Sequence, residues 1–275
     1  MDYEVQYNNR ARVPEHPAIM GSWATDAAAY RAVARMEAAI PYGESEREKL
    51  DLFLPEGEVK AAALFIHGGY WQALDRSSAS HLAKGLSAHG FAVAVPSYDL
   101  CPIVSMETIV EQMRKAVAAT AARLGKPLLV IGHSAGGHLA ACMLATDWKQ
   151  AAPDLGFDPA PAGYAISGLF DLPPLVGTSV NIKCGMTPQS AEALSPMRWP
   201  APSGKHLVAV VGGEEPSEYQ RQSREMAETW GKAGVTTAWR SIPGDNHFTV
   251  IAPLADPRSE MVAEILALAK AAGLC

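Results

Sequence analysis

No stretch of this sequence approaches the roughly 20 apolar residues that a membrane-spanning helix needs. Residues 1–17 are polar and contain no apolar core of a signal peptide, so the expected compartment is the cytoplasm. Positive charge is not in excess either. The 23 Lys and Arg stand against 29 Asp and Glu, a net charge of −6, and the cations are scattered, which excludes the basic stripe of a nucleic-acid-binding protein. Cysteine is scarce. Cys101, Cys142, Cys184 and Cys275 lie far apart, with no C-x-x-C pair and no histidines at ligand spacing, so neither a disulfide scaffold nor a metal site is expected. They read as buried thiols, with Cys275 in an exposed tail. No repeat or low-complexity linker divides the chain, and one domain over residues 1–275 is the simplest organisation.

What the sequence does contain is an ordinary globular composition, 48% hydrophobic and 19% charged, patterned as alternating strands and helices. Residues 1–17, with Pro14 and Pro17, read as an extended arm over the surface. Ser22 is placed to cap a helix running to about Ile40, where Pro41 stops it, so that arm and helix together take up about residues 1–41. Leu50, Leu52 and Leu54 alternate with Lys49, Asp51 and Phe53, the pattern of a partly exposed strand. The uninterrupted apolar runs Ala61–Ile66, Phe91–Val95 and Leu128–His133 predict strands covered on both faces, and Ala162–Ser167 resembles another. Asp75–His89, Ser105–Leu124, Ala135 to about Thr146, Pro216–Gly231 and Asp256–Ala272 read as helices, and His206–Val211 and Val235–Ile242 as two further strands. Such alternation calls for an α/β fold, a mostly parallel central sheet with helices on both faces. Residues 168–202 are rich in Pro, Gly, Ser and Thr and poorly periodic. They read as a lid-like excursion over the strand ends and a source of substrate contacts.

Chemistry concentrates where Leu128–His133 breaks into Gly132-His133-Ser134-Ala135-Gly136, a G-x-S-x-G pattern between a strand and a helix. A serine hydroxyl becomes a nucleophile when a sharp turn lifts it off the sheet beside a base, and that turn tolerates almost no side chain two residues before and after. In a parallel sheet the base, the orienting acid and the oxyanion donors come from other loops at the carboxyl ends of strands. His247, in the loop after the last strand, is the candidate base. The acid is Glu215, with Glu214 second and Asp171 and Asp245 as further options. His67-Gly68-Gly69-Tyr70 ends another strand, and its glycines free backbone N–H groups which, with that of Ala135, form an anion hole. His67 itself is expected to brace that loop through a backbone bond.

Together, His67-Gly68-Gly69-Tyr70-Trp71, Gly132-His133-Ser134-Ala135-Gly136-Gly137-His138 and the late His247 resemble the α/β-hydrolase superfamily, on its esterase branch. Tyr98-Asp99-Leu100-Cys101-Pro102 and the run from Glu215 to Ser223 resemble more particularly the kynurenine formamidase (arylformamidase) group. The resemblance implies that Ser134 attacks, His247 is general base and then acid, Glu215 orients it, and Gly69, Tyr70 and Ala135 donate to the oxyanion, with no cofactor. That group usually places an aspartate where this chain has Glu215. Tyr70 and Trp71, beside the anion hole, suit a small acyl group and a flat leaving group, and Lys183 and Arg198 are candidates for a substrate carboxylate. The implied partner is a small acyl amide or ester, with arylformamidase the preferred activity. A short-chain carboxylesterase and a non-catalytic binding protein are the alternatives, and amphipathic helices leave a homodimer open.

Overall fold

Apolar side chains at every position of a strand leave neither face for water, and the computed structural model, which describes residues 1–275, buries Ala61–Ile66 (β3), Phe91–Pro96 (β4), Leu128–His133 (β5) and Ala162–Ile166 (β6) along their whole lengths. They form the middle of one sheet with Met36–Pro41 (β1), Lys49–Phe53 (β2), His206–Gly212 (β7) and Thr236–Ile242 (β8), in the order β1-β2-β4-β3-β5-β6-β7-β8. The two pairings of β2 are antiparallel and all others are parallel. Successive side chains point to opposite faces, so each strand serves two cores. Ala62, Leu64 and Ile66 pack on one face of the sheet, and Ala61, Ala63 and Phe65 on the other.

Tyr3–Tyr7 (α1) and Asn9–Arg12 (α2) precede His16–Val33 (α3), and Lys84–Ser87 (α4) follows a 3-10 turn over Arg76–Ala83. Met106–Leu124 (α5), Ala135–Ala145 (α6), Trp148–Ala151 (α7), Asn181–Cys184 (α8), Pro188–Ala193 (α9), Ser217–Lys232 (α10) and Glu260–Ala271 (α11) complete the chain. Helices α5, α6 and α10 cover the first face of the sheet with Ile109, Leu139 and Trp230. The second lies under α3, α4 and α11 through Trp23, Leu86 and Ile265.

Several expectations give way here. Residues 1–17 are helical rather than extended, because Asp2 caps α1 through Val5 N, Asn8 caps α2 through Ala11 N, and Pro17 sits in the first turn of α3, where a missing N–H costs nothing. Helix α3 ends at Val33, and Met36–Pro41 is an edge strand paired with β2. The expected exposed side of β2 is buried, since α3 and the 3-10 turn lie across it. Asp51, with no exposure, is neutralised there by Arg31 and Arg76. The last helix begins after Ser259, which caps Val262 N, rather than at Asp256. No helix is long and apolar enough to cross a membrane. Cys101 and Cys142 are buried, Cys184 half-buried and Cys275 exposed.

Candidate active site

Strand β5 must turn abruptly into α6, and Ser134 absorbs the turn at φ 58 and ψ −119, a conformation that side chains seldom occupy. Its neighbours leave no choice of residue. A Cβ on Gly132 would lie 2.0 Å from the Gly136 carbonyl oxygen, and one on Gly136 would lie 2.0 Å from that of Ile66. Ser134 N is anchored to Ile166 O at 2.8 Å, which leaves its hydroxyl at the carboxyl edge of the sheet.

Two other strand ends meet it there. His247 Nε2 is 3.0 Å from Ser134 Oγ, and His247 Nδ1 is 2.6 Å from Glu215 Oε2. A carboxylate accepts only, so Nδ1 carries the proton and Nε2 offers its lone pair to the serine. The other oxygen of Glu215 accepts from Gly212 N at 2.7 Å and from Ser167 Oγ at 2.5 Å, and the carboxyl group is fully buried. His133, beside the serine, donates from Nε2 to His247 O at 2.9 Å and so holds the loop rather than the hydroxyl. Its burial beside His247 pushes its pKa well down and keeps it neutral.

The remaining acids stand elsewhere. Glu214 is exposed, Asp245 accepts from Thr249 Oγ1 at 2.8 Å within its own turn, and Asp171 is paired with Arg198 and Arg221. Arg198, engaged at 2.9 Å with Asp171, is not a wall of the cleft, whereas Lys183 is.

The turn after β3 lies directly against the serine, since a Cβ on Gly68 would come 3.1 Å from Ser134 Cβ. Gly69 at φ 102 and Tyr70 at φ 51 reverse the chain, and neither N–H donates to a backbone carbonyl. Ala135 opens α6, where the first-turn N–H groups lack helical acceptors. The turn is braced from behind. His67 donates from Nδ1 to Gly68 O at 2.8 Å and stacks on Tyr98, whose hydroxyl reaches His67 O at 3.0 Å. Burial pushes the pKa of His67 down to about 4. Trp71 corrects an expectation. It has no exposure and packs edge-on against His138, because the turn drives it into the core beneath the site instead of into the cleft. Tyr70 does line the cleft.

Above Ser134 and His247 is a cavity of about 260 Å³. Its roof comes from two regions that carry no motif. The amino-terminal segment supplies Tyr7, Asn9, Arg10 and Trp23, and residues 168–202 supply Val180 and Lys183. Tyr219, on α10, joins them to the site, its ring 4.9 Å from that of His247 and its hydroxyl bonded to Tyr70 and Asn9. Sequence reasoning missed Ser167, Tyr7 and Asn9, for which the one available signal is position, Ser167 standing at the end of a strand beside the elbow; Tyr219 falls inside the Glu215–Ser223 run, but that run assigns it no role. No group of three His, Cys, Asp or Glu side chains could hold a metal ion.

Comparison with known proteins fits this architecture. The sequence model of the Alpha/beta hydrolase family matches residues 63–273. A kynurenine formamidase of Danio rerio is 34% identical over 239 residues, 82% of this chain and 79% of that protein. One of Salmo salar is 32% identical over 237 residues, with the same coverage of 82% and 79%. A crystal structure from Silicibacter sp. TM1040, provisionally described as a thioesterase, superposes with a TM-score of 0.85 at 39% identity, covering 97% of this chain and 99% of that one. The chain is a hydrolase and belongs to the α/β-hydrolase family, in its arylformamidase group.

Proposed function

We propose that the protein removes small acyl groups from aryl amides by an acyl-enzyme mechanism, with N-formylkynurenine-like formanilides as preferred substrates. The carrying observation is the unbroken relay from Glu215 Oε2 through His247 to Ser134 Oγ, with contacts of 2.6 and 3.0 Å, facing a turn with undonated N–H groups. Ser134 Oγ attacks the acyl carbon while its proton passes to His247 Nε2. The carbonyl oxygen becomes an oxyanion received by the N–H groups of Gly69, Tyr70 and Ala135. Each such donor is worth about 3 kcal/mol of transition-state stabilisation. His247 then gives the proton to the leaving nitrogen, and the C–N bond breaks to leave the acyl group on the serine. Water, deprotonated by His247, attacks that ester and releases the acid. An aryl amine is a weak base and leaves more readily than an alkyl amine, yet it still requires this proton.

The cavity, about 260 Å³, is near the roughly 300 Å³ at which small-molecule pockets begin, a space suited to one ring and a short acyl group. The kynurenine formamidase relatives support the formamide over the ester. Two measurements test the reading. A serine-reactive organophosphonate should add one adduct by intact mass, absent from Ser134→Ala, and an unlabelled parent protein counts against the nucleophile. The ratio of kcat/KM for N-formylkynurenine to that for an aryl acetate should favour the formamide, and a negligible formamide rate makes the protein a short-chain carboxylesterase instead.

A further inference from the structure

Between Gly69 and Gln72 the chain reverses in a turn closed by Gln72 N on Gly69 O at 2.9 Å, and both of its central residues have positive φ, 51 for Tyr70 and 58 for Trp71. Such turns favour Gly, Asn or Asp, so a Tyr and a Trp persist there only where their surroundings hold them. Burial holds Trp71, which has no exposure. Tyr70 is half-buried, its N–H has no backbone acceptor, and its carbonyl meets the Cys184 thiol at 3.7 Å. The firm grip on Tyr70 lies at the far end of its ring, and proton counting gives the direction of the bonds there. Tyr7 O, a carbonyl, only accepts, so Tyr70 spends its one hydroxyl proton on it at 2.5 Å. In the 2.6 Å contact between the two hydroxyls Tyr219 is then the donor, and its lone pair receives Asn9 Nδ2 at 2.9 Å. The result is one directed chain, Asn9 to Tyr219 to Tyr70 to Tyr7 O, whose links polarise one another. It joins the amino-terminal helices, α10 and the turn after β3. Its end is anchored in turn, since Tyr7 Oη donates to Glu218 Oε2 and accepts from Gln222 Nε2, both at 2.8 Å. At its middle Tyr219, with no exposure, sets its ring 4.9 Å from that of His247.

We infer that the hydroxyls of Tyr70 and Tyr219 are positioning groups for the reaction: their chain holds the Tyr70 N–H where the oxyanion forms and sets it together with the base, from an anchor in the amino-terminal segment. The inference rests on the proposed hydrolysis at Ser134 and adds what keeps its oxyanion donor in place. A donor lowers the barrier only if it already stands where charge develops, and a displacement of about 0.5 Å is enough to weaken it.

Phenylalanine keeps each ring and the Tyr70 N–H and removes only the hydroxyl bonds. The readout is phenyl acetate against O-phenyl thioacetate, whose C=S sulfur is a poorer acceptor than a carbonyl oxygen and draws less on the N–H donors. Tyr70→Phe should lower kcat on phenyl acetate about tenfold with KM little changed, and lower the oxo-to-thiono ratio of kcat/KM about fivefold. Tyr219→Phe should move both in the same direction. The double variant should lose no more than Tyr70→Phe alone, because one broken link already opens the chain. In variants whose Tm matches the parent, an unchanged ratio, or a fall in kcat shared equally by the two esters, overturns the inference, as do losses that multiply in the double variant. If Tyr70→Phe does not fold, Tyr219→Phe, which leaves the bond to Tyr7 O in place, decides by the same ratio. A parent protein that an organophosphonate leaves unlabelled at Ser134 contradicts the hydrolysis itself and removes the inference with it. An enzyme active on phenyl acetate and inert to N-formylkynurenine contradicts only the formamide preference, and the ester ratio still decides the inference.

Discussion

The floor of the cleft is fixed by backbone, whereas its roof is tied down by side chains. Beneath the cavity, the backbone bonds of Ser134 N to Ile166 O and of Ser167 N to Val210 O, with the close packing of Gly132 and Gly136, lock the ends of β5, β6 and β7 into one arrangement. Above it, α1 hangs on Glu4 to Ser179, Gln6 to Ser217 and Tyr7 to Glu218, each a side-chain bond of 2.7 to 3.0 Å. Backbone geometry tolerates little drift, which suits bond-making; exchangeable side chains suit recognition. Substitutions in the floor should therefore strike turnover, and those in the roof should strike selectivity. The largest effect expected is for His247→Ala, a loss of about 10⁴-fold or more in kcat with Tm nearly unchanged. A variant that keeps a tenth of parental kcat would show that the floor is not the reacting centre.

Next in size is Glu215→Gln. A glutamine fits the same space, yet its amide can offer an N–H to His247 Nδ1 and turn the imidazole to the wrong tautomer, an error worth about 10³ to 10⁴ in kcat. Steady-state rates on one substrate suffice to measure it, and a loss below tenfold would remove the acid from the relay.

Acid should loosen floor and roof together. His67 braces the floor turn, and His138 ties α6 to the segment over the site through Leu194 O at 2.8 Å. Burial pushes both pKa values from 6.5 down to about 4, so between those limits the unfolded chain binds protons that the folded one refuses. Stability is therefore intact above pH 6.5 and falls as pH drops towards 4, by about 3 kcal/mol for each imidazole. Tm recorded from pH 7 to pH 4.5 should decline, and His138→Gln should flatten the slope. An unchanged slope would mean that other groups dominate the acid limb.

The same division explains what could be read in advance. Glycines at fixed spacing around Ser134, apolar runs in β3 and β5, and a histidine after the last strand are demands of the backbone, and such demands leave marks in sequence. The amino-terminal part of the roof leaves none. Helices of five and four residues, Tyr3–Tyr7 and Asn9–Arg12, are too short to show a period, and their hold on the cleft depends on partners more than 200 residues away, such as Glu218 for Tyr7. Met36–Pro41 reads as the continuation of a helix because it pairs only as an edge strand, where tertiary contact outweighs propensity. Trp71 was misplaced because spacing in sequence does not reveal which way a positive φ sends a side chain.

Ser167 tests the boundary between the two regions, since it belongs to the floor yet acts through a side chain. Its hydroxyl and Gly212 N share Glu215 Oε1, and its φ of 51 turns it towards the acid at the end of β6. Ser167→Ala removes one of two donors, leaving the backbone bond and the contact with His247 in place. A hydrogen bond to a charged group is worth about 1.5 to 3 kcal/mol, and the surviving donor should hold the loss in kcat to about tenfold, well short of that for Glu215→Gln. Ser167→Thr, which keeps a hydroxyl, should recover part of the rate. If alanine and threonine perform alike, the carboxylate is positioned by backbone alone and the contrast between floor and roof is sharper still.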